Sequence, residues 1–188
     1  MELESKRLYY RPLTQADACD LFRIYSKKEV VRWLNVPYHV DVEETLEGIR
    51  KWEQLCEKLS QPMPFVIVEK KMDRIIGTID LHHPSSSHTM EIGYLLDSVY
   101  WHQGYMQEAL RSLLDYGFQT LDLHRINAWC AAENKASSAL LKRTNFLFDG
   151  ELPHRVLLGD GRYHTMELYT LMREDWRNQY EKTAGSQI

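Results

Sequence analysis

The spacing of apolar residues divides the chain into short strands and amphipathic helices. "KRLYYRPL" reads as a strand ending at Pro12, after which Thr14 caps a helix carrying Ala18, Leu21, Phe22 and Tyr25. A second helix follows Asp41, with Leu46, Ile49, Trp52 and Leu55 to Leu59 on its apolar stripe, until Ser60 to Pro64 breaks it. "PFVIVEK" and "RIIGTIDL" form a hairpin turning near Lys71 to Asp73, "PSSSH" is a loop, and "TMEIGYLL" is the next strand. Met106, Ala109, Leu110, Leu113 and Gly117 line one face of a helix running to about Gln119. "HRINAWCA" is a strand, Asn134 caps a short helix through Leu140, and Asn145 is its left-handed stop. "FLFDGELPHRVLL" and "RYHTMELYTLM" close the chain as a hairpin around "GDG". The pattern is that of one α+β domain over 1–180, with a loose tail at 181–188.

Strand 90–97, the turn at Gly104, helix 105–119 and strand 125–131 make a βαβ unit. The turn sits at a helix N-terminus, where unpaired N–H groups and the helix dipole favour an anion. Gly104 lacks a Cβ, so a phosphate could approach the backbone there, although a tight turn without a ligand fits equally well. Neither GxGxxG nor GxxxxGK[ST] occurs, so no dinucleotide fingerprint or P-loop is encoded.

Composition narrows the function. The chain has 188 residues, 44% hydrophobic and 27% charged, which suits a globular domain with a real core. Its net charge of −4 argues against a general nucleic-acid binder and weakly favours a cationic partner such as an amine. Cys19, Cys56 and Cys130 form no CxxC pair, so neither a disulfide framework nor a zinc-finger pattern is present. His82 and His83 are adjacent on a strand and should point to opposite faces, and with His88 they show no ligand spacing. No metal is expected. No signal peptide or membrane span is visible, which places the expected home in the reducing cytoplasm.

"MEIGYLLDSVYWHQGYMQEAL", "RINAWCAAENKASSALLKRTNF" and "GRYHTMELYTL", in this order, resemble the GNAT acetyltransferase superfamily, and within it the RimJ/RimL-like ribosomal-protein N-acetyltransferase branch. The resemblance extends to the opening "RLYYRPLTQAD". It implies a GNAT fold with a mixed, twisted sheet of about seven strands flanked by helices. The strands at 90–97 and 125–131 would splay around the pantetheine of acetyl-CoA, the cosubstrate. The family's pyrophosphate loop falls on Trp101 to Met106, so that His102, Gln103, Gly104, Tyr105, Met106 and Gln107 would bind the cofactor. Trp101 replaces the usual Gln or Arg, and Met106 the small second residue. Backbone N–H groups around Leu95 and Leu96 would hold the oxyanion, and Asn134 would contact the cofactor. Dimers are frequent among the proteins it resembles.

Acetyl transfer to an amine needs a neutral nucleophile, a stabilised oxyanion and a proton for the departing thiolate. Glu91 is the candidate base, directly or through water, sharing a strand face with Gly93 and Leu95; the alternative is a solvated strand glutamate. Ser137, in the first turn after Asn134, is the candidate acid, with Ser138 and Tyr163 as alternatives, although Asn and Ser also suit helix starts for structural reasons alone. Trp33 and Tyr163 are candidate acceptor contacts, and His154 and His164 lie on the same final hairpin; Thr165 stands where the branch often has Asp. The expected reaction acetylates a primary amine, foremost a protein or peptide N-terminal α-amine, without an acyl-enzyme. A small amine such as a polyamine or aminoglycoside, or a non-catalytic acyl-CoA-binding module, are the rival readings.

Overall fold

The computed structural model describes residues 3–85 and 88–178, so the tail expected at 181–188 lies outside the described residues. In chain order these are β1 (Leu3–Glu4), β2 (Leu8–Pro12), α1 (Ala18–Tyr25), α2 (Lys28–Val31), α3 (Val42–Leu59), β3 (Phe65–Glu69) and β4 (Arg74–Ser85). There follow β5 (Thr89–Leu96), α4 (Tyr105–Asp115), β6 (Arg125–Ala131), α5 (Lys135–Arg143), β7 (Leu147–Leu157) and β8 (Tyr163–Met172). The strands form one eight-stranded sheet in the order β1-β2-β3-β4-β5-β6-β8-β7. About seven strands were expected; the eighth is β1, two residues too short to leave a period in the sequence.

Local signals account for most boundaries. The Asp17 carboxylate accepts from the Thr14 N–H and hydroxyl, closing the turn that feeds α1. Asp41 caps α3 by accepting from the Glu44 N–H at 2.9 Å, and Ser60, at φ 50°, ends it. Asn145 is left-handed (φ 64°) after α5, as its position predicts. The short α2 carries too few residues for a visible stripe and was not foreseen.

Every adjacent pair of strands is antiparallel except β5 and β6, which are parallel and need the crossover helix α4 between them. Alternation along β5 splits its side chains between two cores. Ile92 and Leu96 join Ala109, Leu110 and Leu113 of α4, whereas Leu95 packs with Leu21 and Ile24 of α1 and Ile49 of α3. Helices therefore cover both faces, and each fully buried leucine such as Leu110 contributes about 1.5–3 kcal/mol. The edge strand β7 leaves Leu147, Phe148, Leu152 and Leu157 exposed.

The parallel pairing is short. It joins Thr89–Ile92 to Arg125–Ala128 and stops, although β5 runs on to Leu96 and β6 to Ala131. Beyond Ile92 and Ala128 the facing edges have no strand partner, and the sheet opens. This is the parting that the resemblance implied.

Candidate active site

The sequence around the parting sets its geometry. At about 3.3 Å per residue, β5 carries Glu91 at the last paired rungs, Tyr94 inside the opening, and Leu95 and Leu96 about 13 and 16 Å along the backbone beyond Glu91. Asp97 then ends the strand. It is fully buried and ion-paired with Arg23 and Lys27 of the α1 region, and it accepts from the Val99 N–H at 3.3 Å. Burial pushes its pKa up, but Lys27, the Val99 N–H and Arg23 outweigh that and hold it below the usual carboxylate value. This clamp fixes where the following loop starts.

The loop reaches α4 through two left-handed residues, His102 (φ 59°) and Gly104 (φ 77°). Gly104 is the N-cap of α4 with no side chain capping the helix, so the first-turn N–H groups of Tyr105, Met106 and Gln107 have no partner within it. The nearest atom to a Cβ built on Gly104 is Arg7 Nη2 at 3.6 Å, leaving open space at the helix start. An uncapped helix start of this kind suits an anion in general. The side chains do other work. Met106 is core, Trp101 donates from Nε1 to the Leu96 carbonyl at 2.8 Å, and Gln103 Nε2 donates to the Val99 carbonyl at 2.9 Å.

Arg7 was missed by the sequence reading. Its Nε donates to Glu108 at 2.7 Å, its Nη1 to the Gln103 carbonyl at 3.0 Å, and its guanidinium lies 4.0 Å from the Tyr105 ring centroid. A charged residue in the bend before β2, 96 positions from the Gln103 carbonyl it holds, leaves no local signal.

Inside the parting, Ser137 Oγ and Tyr94 Oη lie 2.6 Å apart. Asn134 caps α5, its Oδ1 accepting from the Ser137 N–H at 3.2 Å, so its side-chain oxygen is engaged structurally. Ser138 instead faces Tyr169. Burial raises the Tyr94 phenol well above its ordinary value, keeping it protonated at neutral pH. Cys130, nearby on β6, is pushed by burial up to about 11 and stays a thiol at neutral pH.

Glu91 shares its strand face with Gly93, and the space over that glycine is filled by Asp80, whose Oδ1 would lie 2.8 Å from a Cβ there. Asp80 accepts a 2.5 Å bond from His82 Nδ1. Burial disfavours a charged His82, yet Asp80 and Glu91 outweigh it and raise its pKa. His82 and His83 do not point to opposite faces. β4 extends through Pro84 and Ser85, into the stretch expected to be loop, with a bulge between His82 and Ser85. His83 is left-handed (φ 50°), and both rings meet Glu91. A bulge breaks the period of two.

Trp33 packs edge-on against His164, 5.6 Å between centroids, beside Ala131 at the end of β6. The "GDG" turn fixes this loop: the Gly159 N–H donates to the Leu34 carbonyl at 2.7 Å, and a Cβ there would meet the Val31 carbonyl oxygen at 2.5 Å. His164 is buried between Asp160 and Glu133; burial alone would lower its pKa, but these carboxylates raise it. Tyr163 is 65% exposed. Glu91, Ser137 and Trp33 thus anchor three separate groups around one opening.

Known proteins are similar to this chain in sequence and fold. A family model described as the acetyltransferase (GNAT) domain matches residues 7–147. The uncharacterized N-acetyltransferase p20 of Bacillus licheniformis is 30% identical over 93% of this chain and 97% of its own. The ribosomal-protein-serine acetyltransferase of Escherichia coli is 29% identical over 72% of this chain and 75% of its own. Among solved structures, that of RimL, a ribosomal alpha-N-protein acetyltransferase in complex with coenzyme A, superimposes with a TM-score of 0.83 at 22% identity, covering 93% of this chain and 99% of that one. Among the described residues, no helix is long and apolar enough to cross a membrane.

Proposed function

The chain belongs to the GNAT acetyltransferase family and is an acetyl-CoA-dependent N-acetyltransferase, and from that premise we propose that its acceptor is the α-amine of a protein or peptide N-terminus, acetylated by direct attack. The observation that carries this reading is the opening of the sheet beyond Ile92 and Ala128, with an uncapped helix start at one end and a carboxylate at the other. Likeness to the ribosomal-protein acetyltransferase supports the acceptor class.

Acetyl-CoA supplies an activated thioester carbonyl. The N–H groups at 102–107 hold its pyrophosphate, and Arg7 braces that loop through Gln103. Glu91 takes the proton of the incoming amine, directly or through water. Backbone N–H groups around Leu95 and Leu96 face the carbonyl oxygen as it becomes negative. The C–N bond forms, the C–S bond breaks, and Ser137, linked to Tyr94, gives the departing sulfur its proton. Trp33 borders the acceptor's entrance.

Two measurements test this reading. In a CoA-release assay over N-terminal peptides, polyamines and aminoglycosides, kcat/KM is expected to be highest for a peptide. Turnover confined to polyamines or aminoglycosides moves the acceptor to small amines, and no turnover with any amine would indicate a binding module. Gly104→Val is expected to weaken CoA binding about tenfold or more by calorimetry, because a branched side chain then stands where phosphate oxygens approach. The φ of 77° also strains any branched residue, by on the order of 1–3 kcal/mol. Unchanged affinity in a folded variant rules the loop out as the phosphate site.

A further inference from the structure

The bulge in β4 gathers two histidines, which the proposed acetyl transfer does not use, around Glu91, which it does. His82 and Glu91 are cross-strand partners, and the left-handed turn at His83 swings the next ring onto the same side. The two imidazoles stand edge to face, 4.6 Å between centroids. Glu91 Oε2 is 3.7 Å from His82 Nε2 and 3.4 Å from His83 Nδ1, and all three atoms lie within 4.8 Å of one another. Ligand atoms about 2.0–2.1 Å from a tetrahedral zinc ion are roughly 3.3 Å apart. Two of the contacts are therefore close to that spacing already, and small side-chain rotations bring in the third.

The surroundings have the form of a metal site's outer shell. His82 Nδ1 is taken by Asp80 at 2.5 Å, which leaves Nε2 to face Glu91, as in carboxylate–histidine–metal arrangements. The backbone N–H of His83 donates to Gln61 Oε1 at 3.0 Å, and Gln61 is itself buried, so the bulge is held in place. The Trp52 ring packs edge-on against His82. His83 remains 59% exposed, which gives an ion a path from solvent.

We propose that His82, His83 and Glu91 bind a divalent transition-metal ion of the zinc type, with Asp80 orienting His82 and a fourth position open to water. Neutral imidazoles and a carboxylate are a borderline donor set that favours zinc over magnesium or calcium. Occupation would engage the Glu91 carboxylate and so withdraw it from the acceptor amine.

The site is tested with Zn²⁺ alone. Zinc chloride is titrated calorimetrically into chelator-stripped full-length protein without acetyl-CoA, and Co²⁺ is added separately to read tetrahedral visible absorption. One equivalent is expected to bind. His82→Ala and His83→Asn are each expected to lower the affinity at least tenfold and to abolish the cobalt bands; Asn is used because it tolerates the left-handed backbone. Asp80→Asn should weaken binding about 10–100-fold, as for other outer-shell partners. His164→Ala, outside the cluster, should leave it unchanged, and circular dichroism of each variant confirms the fold. Equal affinity in wild type and in folded His83→Asn overturns the proposal, as does the absence of binding at millimolar zinc. The titration needs no turnover, so its outcome is separate from that of the acetylation assay.

Discussion

Glu91→Gln is expected to lower kcat/KM by about 10²-fold or more at pH 7, with the loss shrinking as the pH rises through the acceptor's pKa. The substitution keeps size and removes basicity. An α-amine of pKa about 7.8 is roughly 14% neutral at pH 7, whereas a lysine-like amine near 10.4 is only about 0.04% neutral, a gap of roughly 3.5 kcal/mol. An α-amine therefore needs modest help, which a half-buried carboxylate beside the end of the β5–β6 pairing can give. Steady-state rates from pH 6 to 10, in chelator-containing buffer so that no metal engages the carboxylate, check this. An equal loss at every pH assigns Glu91 to positioning and removes the base role.

Ser137→Ala is expected to lower kcat by about 10²-fold, the lower end for a general acid, and to leave acetyl-CoA affinity nearly intact. A thiolate departs partly unaided, which limits what the hydroxyl can add. Ser137 Oγ lies 2.6 Å from Tyr94 Oη, and burial keeps that phenol protonated, so it can donate to Ser137 as the serine gives its proton to the sulfur. Tyr94→Phe should accordingly reduce kcat without changing affinity. Ser138→Ala is the control, because its hydroxyl faces Tyr169. Full kcat in Ser137→Ala with a loss in Ser138→Ala transfers the role by one residue. Full kcat in both variants removes the acid role from α5. Single-turnover rates with pre-bound acetyl-CoA separate chemistry from binding.

Periodicity and caps were enough for most elements. The stretch "TMEIGYLL" has the bounds of β5, one residue from the 90–97 of the βαβ reading, and Asp41, Asn134 and Asn145 act at the helix ends as their residue types predict. What failed was what lacks a period. β1 is two residues long and α2 four, and the bulge after His82 reverses the side on which His83 appears.

The sequence by itself determined the α+β order, the glycine turn before α4, and which residue types stand near the opening, because caps, turns and amphipathic stripes are local and each needs only a few neighbours. Tertiary structure alone decided how those residues meet. Arg7 braces a loop 96 residues away, Asp80 fills the space over Gly93, Tyr94 finds Ser137 across the parted strands, and two adjacent histidines converge on Glu91. Such contacts follow from strand order, register and bulges, which depend on how distant segments pack together, and no short window of sequence contains them.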